Sequence, residues 1–222
     1  MWATWLGFSM SLQPLLKTAL ILSLITIFYN LLEGIVSVIF AANDDTLALL
    51  GFGIDSFVEV ISGIGILHMV MRMFRTQAES LDPFERHALM ITGSAFYLLS
   101  IGLLVGSIIY IITAAKPETT IAGVIISAIS ILTMYFLMQA KLQVGNQLNS
   151  QAIIADAHCT RTCLQLSFIL LISSFLYEVF GIAWFDVIGS WGIAWFAFKE
   201  GQEAFEKSKT AQITCSSCGC HK

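Results

Sequence analysis

Apolar residues run along this chain in six long stretches separated by short polar links. They cover about Leu20 to Ala42, Thr46 to Met71, Ala88 to Thr113, Ile121 to Ala140, Gln151 to Phe175 and Trp184 to Phe198. A helix of about 20 mostly apolar residues crosses the hydrocarbon core of a bilayer, so the pattern predicts an all-α membrane protein with six transmembrane helices. The sixth stretch is short and also reads as a buried helix. An even number of crossings fits the charges better. With both termini cytoplasmic, that side carries Lys17, Arg72, Arg75, Arg86, Lys141, Lys199, Lys207, Lys209 and Lys222, against Lys116 alone outside. Short cytoplasmic loops collect Lys and Arg in this way. The outer link Asn43-Asp44-Asp45 is acidic, which agrees.

Composition narrows the class further. Of 222 residues, 57% are hydrophobic and only 12% are charged. Soluble domains carry about 25% charged residues, so a water-soluble enzyme is excluded. A net charge of −4 offers no basic footprint for nucleic acid. The N-terminus lacks a basic leader and a small-residue cleavage site, and is not read as a cleaved signal peptide. The transport domain is expected over residues 1–200, with a short cytoplasmic tail over 201–222. The five cysteines do not form a disulfide framework, because Cys159 and Cys163 lie inside an apolar run and Cys215, Cys218 and Cys220 crowd the end.

Ionisable groups at membrane depth cost about 2.5–3.5 kcal/mol each on insertion scales and usually serve a pathway or a partner. Span one holds Asn30 and Glu33, and span two holds Asp55 and Glu59. Span five holds Asp156, His158, Cys159, Arg161 and Cys163, and span six opens with Asp186. Asp55 and Glu59 stand four residues apart, so both carboxylates project from one helix face. Two such charges repel in a low dielectric unless a cation or proton lies between them. Cys159 and Cys163 repeat the spacing on span five, and Asp156 and Thr160 complete a polar stripe with them. Two helices, each offering a pair of ligands one turn apart, supply a tetrahedral site for zinc, and thiolates favour soft divalent ions such as zinc or cadmium. Simpler roles compete with this one. A lone cysteine in an apolar helix is ordinarily a small hydrophobe. Asp156 and Asp186 lie near span ends, where interfacial capping is an equal alternative. Arg161 reads as a snorkelling side chain or an acid's partner, His158 as facing a neighbouring helix, and Glu178 as solvated.

At these residues the chain resembles the cation diffusion facilitator family of divalent-metal transporters. The segment LALLGFGIDSFVEVISG is similar to that family's acid-x-x-x-acid helix, with Asp55 and Glu59 on its ligand positions. The segment SQAIIADAHCTRTCLQLS is similar to its second ligand helix. There Asp156 opens the motif, and Cys159 and Cys163 stand where the family usually has a His/Asp pair. Glu59 replaces the commoner Asp. The likeness extends over about Leu20 to Glu206. It is nearest to the six-span branch without a cytoplasmic metal-binding domain, where Asn30 and Glu33 also look like recurring features.

The resemblance implies a secondary active exporter rather than an enzyme. It would move zinc or cadmium out of the cytoplasm against protons, across the plasma (inner) membrane. The expected metal ligands are Asp55, Glu59, Cys159 and Cys163. The expected auxiliary or proton-relay residues are Asn30, Glu33, Asp156, His158 and Asp186. No cofactor is expected beyond the transported metal, and the partners are that ion, protons and lipid. Cys215, Cys218, Cys220 and His221 form a candidate soft-metal clip in the tail. The Gly102-Leu103-Leu104-Val105-Gly106 segment of span three permits close helix approach, either within the bundle or in a homodimer. Two rival readings are a metal-binding membrane sensor or scaffold without transport, and a thiol oxidoreductase. The second has C-x-x-x-C where redox motifs have C-x-x-C.

Overall fold

A computed structural model of the protein describes residues 12–76, 83–114, 116–118, 120–148 and 151–217. It folds into six helices: α1 Leu12–Asp44, α2 Leu47–Thr76, α3 Pro83–Ile112, α4 Ile121–Leu148, α5 Gln151–Phe180 and α6 Trp184–Ser217. No strand occurs among the described residues. Each expected span falls within one helix, give or take a residue at its ends. Helices α1 to α5 are long and apolar enough to cross a membrane. Helix α6 is the longest at 34 residues, but its apolar run stops at Phe198 and charged residues follow. The segment expected as a tail after residue 200 therefore begins as a continuation of α6. Its Gly201, Ala204 and Ser208 are buried, and Phe205 stacks on Tyr97 of α3.

The helices are inverted relative to those of a soluble bundle. Along α1, Ser23, Thr26, Asn30, Glu33 and Ser37 are buried, while Ile21, Ile25, Phe28, Leu32, Ile35 and Ile39 are exposed. Both sets step by three or four residues, so they are two faces of one helix. Lipid accepts the isoleucine face without cost, and the polar groups find partners inside the bundle. Apolar burial cannot drive helices together in lipid, so close packing of small residues does. Helix α1 lies along α2, α4 along α5 and α3 along α6. A Cβ on Gly34 would stand 3.1 Å from the Gly53 carbonyl oxygen and 3.1 Å from the Phe57 ring. One on Gly53 would meet Ser37 Cβ at 2.9 Å and the Val38 backbone nitrogen at 3.1 Å. Only glycine permits α1 and α2 to lie this close, and the contact sets Asn30 and Glu33 beside the acidic face of α2. The apolar core of the bundle centres on Leu49, Phe52, Leu103, Leu166, Leu170 and Ile193.

The α1–α2 turn, the α3–α4 link and the α5–α6 turn gather at one end of the bundle. Asp45 turns the chain there with a left-handed φ of 52°, and Gly181 does so with a φ of 65°. The Glu118 amide donates to the Asp44 carbonyl at 3.0 Å, and the Tyr110 hydroxyl donates to the Asp45 carbonyl at 3.0 Å. Tyr177 donates its hydroxyl to the Pro117 carbonyl. Glu178 is exposed, as expected, yet it accepts from the Thr120 amide and hydroxyl at 3.1 and 3.2 Å and so caps α4.

Asp186 belongs to the same end. It is buried, and its two carboxylate oxygens accept from the Leu47 and Ala48 amides at 2.9 and 3.3 Å. The first amides of a helix have no partner within it, and a carboxylate there also meets the positive end of the helix dipole. Of the two readings open for Asp186, this geometry is the capping one. Asp186→Ala leaves both amides buried and unpaired, and the expected loss is about 1–3 kcal/mol of stability. A lower midpoint of thermal unfolding in detergent measures it, and an unchanged midpoint would deny the cap any weight.

The glycines of span three divide. A Cβ on Gly106 would meet Leu47 of α2 at 3.2 Å, so Gly106 serves packing within the bundle. Around Gly102 nothing lies within 4 Å, and its neighbours Leu98, Ile101 and Val105 are exposed.

Candidate metal centre

The site lies about a third of the way along α2, where that helix faces α1 and α5. The carboxylates of Asp55 and Glu59 and the thiol of Cys163 bring one ligand atom each to within 4.8 Å of one another. Asp55 is 1% exposed and Cys163 is 0% exposed. The four-residue step places both acids on the face of α2 turned toward α5. Cys163 meets them because α5 turns its own small and polar positions, Ala157, Thr160, Cys163 and Ser167, inward. The Cys163 thiol is a hydrogen-bond neighbour of the Glu59 carboxylate. It also packs against Met134 and Leu137 of α4.

Helix α1 supplies the supporting polar groups. Asn30 donates its amide to Glu59 Oε2 at 2.8 Å, which fixes that carboxylate from α1. One turn along, Glu33 accepts from the Tyr29 hydroxyl at 3.0 Å and from the Ser56 hydroxyl at 3.1 Å. At the cluster, Asp55 Oδ1 and Asn30 Oδ1 are buried and have no hydrogen-bond partner among the described residues. Buried polar atoms are almost always bonded, so an orphan pair beside a carboxylate–thiol cluster marks where a further electropositive group fits. A tetrahedral zinc ion with bonds of about 2.0–2.3 Å holds its ligand atoms about 3.3–3.8 Å apart, so a small inward movement of these three would close around it. Two oxygens and a sulfur suit zinc or cadmium. Calcium and magnesium take six or more oxygens.

The expected residues are thus brought together in part. Asp55, Glu59 and Cys163 converge, Asn30 contacts Glu59, and Glu33 stands one turn away. Asp186 is engaged at the first turn of α2, about two turns from Asp55. Cys159, Asp156 and His158 lie on α5, but their side chains fall outside the described residues. The tail groups Cys215, Cys218, Cys220 and His221 fall outside them too. Arg161 is exposed on α5, which agrees with its snorkelling reading.

Several polar neighbours escaped the sequence reading. Tyr29 is four residues before Glu33, and Ser56 adjoins Asp55, so helical spacing was the available signal for both. Glu200, the second charged residue after the last apolar run, accepts from the Thr162 hydroxyl at 2.8 Å and acts electrostatically on both Asp55 and Glu59. Lys141 was counted with the cytoplasmic charges. It is instead 1% exposed, and its ammonium donates to the Thr160 hydroxyl at 2.9 Å. Its position at the end of an apolar run gave no sign of this, because the partner is on another helix.

A family model described as the cation efflux transmembrane domain matches residues 19–210. No curated protein matches the chain. A match over most of the sequence, on a helical bundle that buries an acidic face, decides the assignment: the chain belongs to the cation efflux family, the cation diffusion facilitators, and is an integral membrane transporter of metal cations.

Proposed function

We propose that this transporter exports zinc or cadmium from the cytoplasm in exchange for protons, through a site formed by Asp55, Glu59 and Cys163. The observation that carries the reading is the convergence of two carboxylates and a thiol, with Asp55 Oδ1 buried and without a partner among the described residues. The fourth ligand is Cys159, one turn from Cys163 on α5, or the orphan amide oxygen of Asn30. Carboxylates and thiols must lose protons to bind a metal ion, so metal and protons exclude one another at one site. That exclusion is the simplest form of coupling. Glu33, held by two hydroxyls one turn from Asn30, is the relay through which protons leave or reach the cluster. The distribution of Lys and Arg puts both termini in the cytoplasm, so the end tied together by Asp186 faces outward, at the plasma membrane.

Flux into proteoliposomes tests this directly. Zinc or cadmium is offered with and without an imposed pH gradient, and a trapped dye follows protons. The expected result is metal movement accelerated by the gradient, with protons moving the opposite way. Metal movement that ignores the gradient would remove the antiport. Metal bound tightly but never moved would favour a sensor or scaffold.

A further inference from the structure

Most buried serines of the bundle donate to their own helix: Ser23 to the Ala19 carbonyl, Ser107 to Leu103, Ser127 to Gly123 and Ser190 to Asp186, each one turn back. Ser130 on α4 makes no such bond among the described residues. It is fully buried, and it accepts from the Ser167 hydroxyl of α5 at 2.9 Å. Its own proton is left for α1, where Ser130 is a hydrogen-bond neighbour of the Glu33 carboxylate and of the Tyr29 hydroxyl. Ser167 is fully buried too, and it has a second acceptor within reach, the Cys163 carbonyl at 2.9 Å. Met134 of α4 packs against Cys163 of α5, so Ser130, one turn from Met134, comes level with Ser167, one turn from Cys163. Three helices thus contribute to one row: Glu33, Ser130, Ser167 and the Cys163 carbonyl.

We infer that Ser130 and Ser167 are positioning residues for the proton step: with Glu33 they form a hydroxyl chain that reverses direction, so that Glu33 is paired inside the bundle both with its proton and without it. The inference rests on Glu33 being the relay, as proposed above. Without the proton, Ser167 donates to Ser130, Ser130 donates to Glu33, and Tyr29 and Ser56 complete the shell of the carboxylate. With it, Glu33 donates to Ser130, Ser130 to Ser167, and Ser167 to the Cys163 carbonyl. The proton stays on the Glu33 carboxyl throughout. The carbonyl at the end of the row accepts a hydrogen bond and no proton. A buried carboxylate bonded in one state alone would be locked there, because hydrogen bonds to the charged form favour it and an unpaired buried group is costly. The partners of Glu33 among the described residues are Tyr29, Ser56 and Ser130, none of them a proposed ligand. The titratable groups that face it are Tyr29 on its own helix, Asp55 and Glu59 on α2 and Cys163 on α5. Helix α4 faces it with Ser130, and Lys141 lies about three turns further along that helix. A divalent ion held at the cluster therefore favours Glu33 without its proton, and departure of the ion favours the protonated form.

The test uses the full chain in detergent and in proteoliposomes. Infrared difference spectra are recorded as zinc is added. Wild type should lose a protonated-carboxyl band that Glu33→Gln lacks, which assigns the band to Glu33. In Ser130→Ala that band should move to higher frequency, as the stretch of a carboxyl deprived of its acceptor does. Ser167→Ala cuts the same chain one link further on and should give a smaller shift; it serves if Ser130→Ala does not fold. Ser130→Thr restores the hydroxyl and should restore the band. In proteoliposomes, the acceleration of zinc movement by a pH gradient should fall about tenfold in Ser130→Ala, the weight of one hydrogen bond to a charged group. The same substitution made in Glu33→Gln should have no further effect on the gradient response. An unmoved band and an unchanged gradient response in folded Ser130→Ala and Ser167→Ala would overturn the inference and leave the two serines as packing between α4 and α5. A wild-type spectrum identical to that of Glu33→Gln would remove the relay itself, and the inference with it.

Discussion

Asp55→Ala is expected to reduce metal flux in proteoliposomes to the level of protein-free vesicles, while the purified protein keeps its helical content and elution volume. Asp55 is deep in the bundle, and its Oδ1 has no hydrogen-bond partner among the described residues. A carboxylate so placed contributes little to stability, because burying it uncompensated is costly. Its removal should raise or preserve the midpoint of thermal unfolding as it removes function. That opposition separates a ligand from a structural group. A structural carboxylate, such as Asp186 with its two amide bonds, behaves the other way, and its loss lowers stability first. Losing one of three or four zinc ligands should weaken binding by a factor of about 100 or more, comparable to the larger effects seen when even the residues supporting a metal ligand are changed. Asp55→Asn is the sharper variant, since it keeps volume and an oxygen but not the charge. Flux in Asp55→Asn at more than about a tenth of wild type would show that the charge is dispensable and deny Asp55 its ligand role.

The second large effect concerns selectivity. Cys163→Ser replaces a soft donor by a hard, weakly acidic one of nearly the same shape. Cadmium should suffer far more than zinc, since thiolate is the ligand that favours the softer ion. The expected outcome is a loss of cadmium affinity of about 100-fold, with zinc affinity reduced about tenfold or less. Cys163→Asp restores a charged oxygen and should recover zinc flux without recovering cadmium. Competition of the two ions in a single flux assay reads the ratio directly. If Cys163→Ser leaves that ratio unchanged, the cysteine is the small hydrophobe its contacts with Met134 and Leu137 also allow, and the site is mainly carboxylate.

The architecture was legible because lipid imposes one simple condition on the chain, a run of about 20 apolar residues for each crossing. The pairing of Asp55 with Glu59 was legible for a similar reason, since a four-residue step on a helix is local geometry. What could not be read was which helix faces which. Asn30 bonds Glu59 across 29 residues and Lys141 bonds Thr160 across 19, and neither separation leaves a periodic trace. Lys141 illustrates the difficulty. A lysine closing an apolar run is the ordinary signature of a side chain reaching for the headgroups, and only the inward turn of α4 decides otherwise. Asp186 illustrates the reverse. Its place at the head of the last span fitted a pathway or a cap equally well, and the choice depended on where α2 begins relative to it.

The close contact of α1 with α2 through Gly34 and Gly53 has a mechanical consequence. Helices joined by backbone contact at this distance cannot slide past each other without a clash, so they move as one slab. Asn30, Glu33, Asp55 and Glu59 all ride on that slab, whereas Cys163 rides on α5 beside α4. The metal site therefore straddles a seam, with carboxylates on one bank and the thiol on the other. Any parting of the banks breaks the coordination sphere at the same stroke. An ion gripped from both sides acts as a bolt across the seam, and drawing the bolt and opening the door become a single motion.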